Sequence, residues 1–316
     1  MKPKDLYRAL CRGEEGLPVF LQCWWLDAVT PSWNVAVALK GEQVTGVWPY
    51  ALQQRFTATM MRNPRLTPYL GPHIFYPPDI KPTNRDSFEH EVVAQLLEQL
   101  PDADVWVQST QPRMRQVGLF RNQGLRVAVQ QTFIIPIGGR NVEDVFHDFK
   151  EPLRRNIRQA ESELSISEAP DLLPQLHEFQ HQTLFRKRVA QHDSLEDMET
   201  LLNACVREGK GMLYAARQGG RVQALLWNVW DSQTSYYFAG AKDPSADDHR
   251  AMSALLWHAI KAAHARGNKY FDLEGSQDPG VERFFRGFCG QRELYLILRK
   301  NDHWLWKLSR IFKREV

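Results

Sequence analysis

Apolar positions in residues 86–100 (DSFEHEVVAQLLEQL) recur at Val92, Val93, Leu96, Leu97 and Leu100, a spacing that places them on one side of a helix. Residues 250–267 (RAMSALLWHAIKAAHARG) read as a longer helix stopped by Gly267. Between and around these, the pattern changes to short apolar runs. Residues 34–50 (NVAVALKGEQVTGVWPY) predict a hairpin about Lys40-Gly41-Glu42-Gln43, and residues 211–231 predict another about Gly219-Gly220. Strands are expected at 103–108, 125–137, 234–241, KYFDLEG and QRELYLILRK. Short helices are expected at 20–30, in the stretch ending at Phe120, and in VERFFRGF. NVEDVFHDF opens a helical stretch after Gly139. Pro152 then sits near the start of PLRRNIRQAESEL, where its missing N–H costs little. Residues 171–185 and 195–206 are two further helices, and 65–79 form a Pro-rich aromatic loop.

The two halves follow one order: hairpin, strand or loop, helix, strand, short helix, strand. The hairpin turns at Gly41 and Gly219 lie 178 residues apart. This order predicts a mixed α/β (α+β) chain made by duplication of one unit, with domains at 1–137 and 138–299 sharing a cleft. Residues 300–316 are expected to form a C-terminal helix docked on the first domain.

Composition narrows the classes. The chain has 316 residues, enough for about two domains. With 43% apolar and 24% charged residues it is an ordinary globular sequence, which excludes disordered and fibrous classes. None of the four cysteines (Cys11, Cys23, Cys205, Cys289) lies in a C-x-x-C pair, which excludes a zinc ribbon or a thioredoxin-type site. No run of about 18 apolar residues is present, and no apolar leader opens the chain, so a cytoplasmic location is expected. The net charge of +3 is uneven: residues 299–316 hold six Lys/Arg and two Asp/Glu. Their Trp304, Trp306, Leu308, Ile311 and Phe312 give an amphipathic pattern. Peripheral membrane contact through 302–314 is the alternative to docking.

Several segments carry a resemblance. FLQCWWLDAV, the Arg154-Arg155-Asn156-Ile157-Arg158-Gln159-Ala160 helix, and the series YYFAGA, LLWHAIKAAHARG, FDLEGSQDPGVERFFRGFCG resemble Fem-type (FemAB-like) aminoacyltransferases and related GNAT-like N-acyltransferases. The resemblance implies two tandem GNAT-like domains. It also implies transfer of an acyl or aminoacyl group from an activated donor to an amine acceptor, with a cell-wall (peptidoglycan) precursor among the acceptors. The implied co-substrates are acyl-CoA or aminoacyl-tRNA, with no tightly bound cofactor and with tRNA as a partner in the second case. The usual acetyl-CoA fingerprint is missing. The corresponding loop, KDPSADDHRAMSA (242–254), has no Gly, and Asp247 and Asp248 would repel a diphosphate. In the first unit Arg115-Gln116-Val117-Gly118-Leu119-Phe120 matches that fingerprint only partly.

Amide formation requires a proton acceptor for the amine and donors for the developing oxyanion. Glu274, at a strand end before Gly275, is the candidate proton acceptor, and by alternation it shares a face with Tyr270 and Asp272. A cap on the following helix, or an ion pair with Arg283, is the structural alternative. Tyr237 is the candidate acid for the leaving group. The pairs Arg155/Arg158 and Arg283/Arg286, each spaced three apart, are candidate grips for a diphosphate or carboxylate. Trp25 and Tyr69 are candidate lining residues, set against a plain core role. One rival pattern stands apart: His177-Glu178-Phe179-Gln180-His181 is an H-E-x-x-H sequence, with His192, Glu196 or Glu199 as third donor for a zinc hydrolase. A non-catalytic binding protein on the same fold is the other alternative.

Overall fold

The computed structural model describes all residues except 1, 14–15, 56, 247–249, 276–277 and 302–316. The described residues fall into two compact units: those within 2–13, 20–130 and 294–301 form unit 1, and those within 16–19 and 131–293 form unit 2.

Unit 1 opens with helices α1 (Pro3–Gly13) and α2 (Cys23–Val29). The expected hairpin follows as β1 (Trp33–Lys40) and β2 (Gln43–Arg55), with Gly41 at φ +64° in the turn. Then come β3 (Ala58–Arg62), the two-residue β4 (His73–Ile74), α3 (Arg85–Gln99), β5 (Val105–Ser109) and α4 (Val117–Asn122). Strand β6 (Arg126–Pro136) begins in unit 1 and ends in unit 2. Unit 2 continues with α5 (Val142–Asp148), α6 (Glu151–Glu163), β7 (Ser165–Glu168), α7 (Leu173–Arg186), α8 (Leu195–Arg207), β8 (Gly211–Gln218), β9 (Arg221–Trp230) and β10 (Thr234–Lys242). It closes with α9 (Arg250–Ala265), β11 (Tyr270–Asp272), α10 (Pro279–Phe285) and β12 (Gln291–Asn301), whose last residues belong to unit 1. The helix expected beyond β12, and with it the membrane-contact segment 302–314, lies outside the described residues. No helix among the described residues is long and apolar enough to cross a membrane.

In unit 1 the strands lie in the order β1-β2-β3-β5-β12, with β4 beside β2. β3 and β5 are parallel, and α3 crosses between them. Val92, Val93 and Leu96 form the buried side of α3, as the periodicity predicts. Gly46 lets this helix seat closely on β2, because a Cβ there would collide with Val92. In the same core the indoles of Trp48 and Trp106 both donate to the buried Gln108 Oε1, at 3.2 and 3.0 Å. Large rings are thereby buried without orphaned N–H groups.

Unit 2 repeats the plan, with strand order β6-β11-β10-β9-β8-β7. β10 and β11 are parallel, joined through α9. Leu255, Leu256, Ala259, Ile260 and Ala263 of α9 pack into a core with Phe271, Leu273, Phe285 and Phe288. The β9–β10 turn is organised by the buried Asp231. Its carboxyl accepts from the backbone N–H groups of Gln233 (2.8 Å), Thr234 (2.7 Å) and Val19 (3.1 Å), and from the Tyr236 hydroxyl (3.0 Å). Burial pushes its pKa up, against the pull of those four donors.

Replacing Asp231 by Ala removes the acceptor for all four donors at once. Losing a buried acceptor of this kind costs about 2–4 kcal/mol. Urea denaturation of Asp231→Ala is expected to show that loss, and Asp231→Asn a smaller one. Equal midpoints for Asp231→Ala and the native chain would show that water replaces the carboxyl at no cost.

Candidate active site

The pairing of β11 ends at Asp272, and the next three residues make the site. Leu273 donates its N–H to Phe133 O at 2.9 Å. Glu274 then turns into the left-handed region (φ +57°), followed by Gly275 (φ +64°). A glutamate at positive φ is uncommon and costs energy, so its neighbours must impose it. Two of them do. Asp272 Oδ1 accepts the Glu274 N–H at 2.8 Å, and the Thr132 hydroxyl donates to that same oxygen. The chain also presses onto β6, since a Cβ at Gly275 would collide with the Gln131 carbonyl oxygen. Only glycine satisfies both the backbone angle and the spacing.

This turn leaves the Glu274 carboxyl shielded, with Oε1 buried and without a hydrogen-bond partner. The residue as a whole keeps partial solvent contact. Burial raises its pKa well above the ordinary carboxylate range, and the negative charge of Asp272 raises it further. Tyr237 is the neighbouring titratable group. Burial first, and then the Glu274 charge, push its phenol above the usual tyrosine range. Tyr237 stands at a β-bulge, where the register of β10 against β9 shifts between Tyr237 and Ala239. Bulges re-aim side chains and gather near functional sites. The tyrosine ring packs edge-on against Phe285 at 5.7 Å, and its hydroxyl lies over Gly240, where any Cβ would clash with it. A carboxyl with raised proton affinity thus stands near a phenol that keeps its proton.

The helix after this turn is capped by Asp278, whose Oδ1 accepts from the N–H groups of Gly280 (2.8 Å) and Val281 (3.1 Å). Glu274 therefore does not serve as that cap. Lys187, just past α7, forms an ion pair with Asp278. A groove of about 760 Å³ runs beside the end of α7, lined by Phe179, His181, Phe185 and Arg186 and by Arg221, Asp243, Pro244 and Ser245. Phe185 is 75% exposed, so an aromatic ring forms part of an open wall. Arg221 pairs with Asp243 at 2.6 Å, and Arg186 reaches Pro244 O at 3.5 Å. These residues hold the loop that leads toward α9. Asp247 and Asp248 of that loop lie outside the described residues.

The other predicted residues are placed as follows. Arg155 and Arg158 are exposed on α6, and the Arg158 guanidinium lies over the Phe146 ring at 5.3 Å. Arg283 and Arg286 are exposed at the end of α10, with Arg286 3.8 Å from Glu282. The turn after α10 meets the start of α6 through the Lys150 N–H to Gly287 O bond (2.9 Å), so both arginine-bearing segments adjoin there. Trp25 and Tyr69 are closed inside the core of unit 1. Trp25 is edge-on to Phe20 (5.0 Å), with its indole donating to Thr67 Oγ1 at 3.1 Å, and Tyr69 is edge-on to Tyr295 (5.1 Å). In the H-E-x-x-H segment His177 Nε2 is 3.2 Å from Asp193 O, and His181 stacks on Phe185. Among the described residues no group of three His, Cys, Asp or Glu side chains comes together as metal donors, so His192, Glu196 and Glu199 complete no site there.

Residues 147–286 match the Acetyltransferase (GNAT) domain family. The fold of the chain is that of tandem GNAT-like acyltransferases. It is similar to FemX (TM-score 0.66, 11% identity, 98% of each chain covered). It is also similar to the C-terminal domain of a protein described as a lysylphosphatidylglycerol synthetase from Agrobacterium fabrum (TM-score 0.58, 11% identity, 98% of this chain and 94% of that one). A tandem GNAT protein from the clavulanic acid biosynthesis pathway is a third match (TM-score 0.53, 9% identity, 94% of each chain). No curated protein matches the chain in sequence. The resemblance to Fem-type and GNAT-like acyltransferases read from the sequence therefore stands, and the matched segment contains Glu274, Tyr237 and all four candidate arginines.

The raised pKa of Glu274 has a consequence for stability. Between the ordinary glutamate value and its own raised one, the folded chain holds a proton that the unfolded chain has lost, so stability falls as pH rises through that window. Glu274→Gln removes this loss. The variant is expected to gain stability over the native chain as pH increases from the ordinary carboxylate range toward neutrality, with no gain below it. A stability difference independent of pH in thermal or urea unfolding would contradict the shielded state of this carboxyl.

Proposed function

We propose that the protein is an N-acyltransferase that moves an acyl or aminoacyl group from an activated ester or thioester to an amine, with Glu274 as general base and Tyr237 as general acid. The observation that carries this reading is the imposed left-handed turn at Glu274, which holds a carboxyl shielded and unpartnered beside a protonated phenol. An apolar surrounding raises the proton affinity of a carboxylate and makes it a better base for an amine. The amine nitrogen attacks the carbonyl carbon and gives its proton to the Glu274 carboxylate. The bond to sulfur or oxygen breaks as the tetrahedral intermediate collapses, and the Tyr237 hydroxyl protonates the leaving group.

The acceptor in this proposal is a cell-wall precursor. The exposed arginines Arg155, Arg158, Arg283 and Arg286 offer bidentate contacts to its diphosphate or carboxylates. The groove beside Phe185 provides an apolar wall for part of a substrate. The similarity to FemX and the GNAT match at 147–286 support group transfer of this kind. Acyl-CoA and aminoacyl-tRNA are the donors to compare.

The test is transfer to a UDP-linked muropeptide, detected by mass spectrometry, with aminoacyl-tRNA or acyl-CoA as donor. Removing a general base or acid lowers turnover by about 10²- to 10⁴-fold. Glu274→Gln is expected to fall in that range with substrate binding retained, and Tyr237→Phe to show a smaller loss. Asp272→Asn removes the charge that adds to the rise burial gives Glu274. The acidic limb of its pH–rate profile should therefore move to lower pH. Full activity in Glu274→Gln would sink the mechanism, and absence of transfer from either donor would sink the function.

A further inference from the structure

Two thiols of unit 1 meet away from the site described above. Cys11 lies near the end of α1 and Cys23 at the start of α2, and neither is in a disulfide. The Cys23 Sγ sits 3.9 Å from the backbone oxygen of Tyr7. Tyr7 is one turn before Cys11 on the same side of α1, and side chains on a helix lean toward its N-terminus. The Cys11 side chain therefore covers the turn on which the Cys23 thiol rests. The surroundings of both sulfurs agree with this placement. The Tyr7 phenol is pushed up by burial first, and then by the charge of Cys11 and of Cys23. The two thiols also bond directly to each other.

The pair is unequal. The bond from Cys23 holds the Cys11 thiol below the ordinary thiol range, against burial, and the Arg8 guanidinium adds to that. The same bond, and then burial, hold the Cys23 thiol above it. Cys11 keeps partial solvent contact, whereas Cys23 is buried. The thiolate is the nucleophile of cysteine chemistry, and an accessible thiolate beside a second thiol can be oxidised and then resolved. The other cysteines lack this arrangement. Cys205 is buried, which pushes its thiol up, and the exposed Cys289 has its sulfur against the carbonyl oxygens of Arg286 (3.9 Å) and Gly287 (3.8 Å). Helix α1 is also lightly held. Tyr7 is its one buried residue, with its hydroxyl donating to Leu21 O at 2.5 Å, and Lys4 donates to Trp33 O at 2.7 Å. The Arg8–Asp27 ion pair that joins α1 to α2 is 41% and 42% exposed, so it contributes little.

We infer that Cys11 and Cys23 form a redox modification site, which a hydroperoxide closes to a disulfide that ties α1 to α2. The Cys11 thiolate attacks one peroxide oxygen and the O–O bond breaks. The other oxygen leaves with the bonding pair and takes up a proton, as water or an alcohol. Cys11 is then a sulfenic acid. The Cys23 sulfur attacks the Cys11 sulfur, the S–S bond forms and the S–O bond breaks, and the hydroxyl departs with the Cys23 proton as water. The two sulfurs give up one electron pair and the peroxide receives it. A covalent link then stands where an exposed ion pair did. The site rests on α1 and α2 of unit 1 and does not depend on the role given to Glu274.

The test is peptide mass spectrometry of the full chain after treatment with hydrogen peroxide, alkylation in denaturant and digestion without reductant. A peptide joining Cys11 to Cys23 is expected, and dithiothreitol should abolish it. Cys23→Ser should leave a sulfenic acid at Cys11 that dimedone traps, and Cys11→Ser should leave Cys23 a free thiol at the same dose. Hydrogen exchange then reads the consequence. Amides of α1 should exchange at least about tenfold more slowly in the bridged native chain than in the reduced one, with no such slowing in peroxide-treated Cys23→Ser. Three results would overturn the proposal: no linked peptide in the native chain, Cys11 passing to sulfinic acid while Cys23 stays reduced, or Cys289 oxidised ahead of Cys11. Unchanged exchange across α1 in the bridged chain would overturn the claim that the bond ties the helix down.

Discussion

The contact between Asp272 and the backbone of Glu274 is the constraint on which the end of β11 in unit 2 depends. One buried carboxyl oxygen takes a hydroxyl from Thr132 and an N–H from Glu274, and by doing so it fixes the turn that ends β11. Its charge also acts through space on the Glu274 carboxyl. Asp272 therefore fixes the position of Glu274 and adds to a rise in its proton affinity that comes first from burial. A neutral residue in place of Asp272 could preserve the turn without preserving the electrostatics, while a residue unable to accept two hydrogen bonds would lose both.

Strain of this kind is tolerated because the surrounding unit is over-determined. Gly275 has no room for a side chain, Leu273 is tied to Phe133, and α9 presses a continuous apolar side against the same sheet. The bulge in β10 works in the same direction. It breaks the regular register at Tyr237 and sets the phenol over Gly240. Sites for acid–base chemistry gain precision when such departures sit on strands rather than on free loops.

Much of the architecture was legible because the periodicities were strong. α3, α9 and both hairpins follow their apolar spacing and turn glycines within a residue or two. β7 was not legible, since Ser165-Ile166-Ser167-Glu168 has a single apolar residue and is an outer strand of its sheet. β3 escaped for a similar reason, as Ala58-Thr59-Met60-Met61-Arg62 has little β-propensity of its own and is held by its neighbours. Glu274 could be singled out because an acid before a glycine at a strand end is a local signal. Its dependence on Thr132 could not, because 140 residues separate Thr132 from Asp272. Trp25 and Tyr69 show the opposite problem. Aromatic residues in a Pro-rich or helical segment look the same whether they fill a core or line a pocket, and here both fill the core.

Unit 1 is built from segments at both ends of the chain, and its strand β5 receives Ile297–Asn301 of β12 along one edge. During synthesis the whole of unit 2 must leave the ribosome before that edge finds its partner. Until then β5 presents open backbone donors and acceptors, the kind of surface that invites mispairing between nascent chains. Unit 1 begins first and is completed last, so its final strand acts as a late clasp.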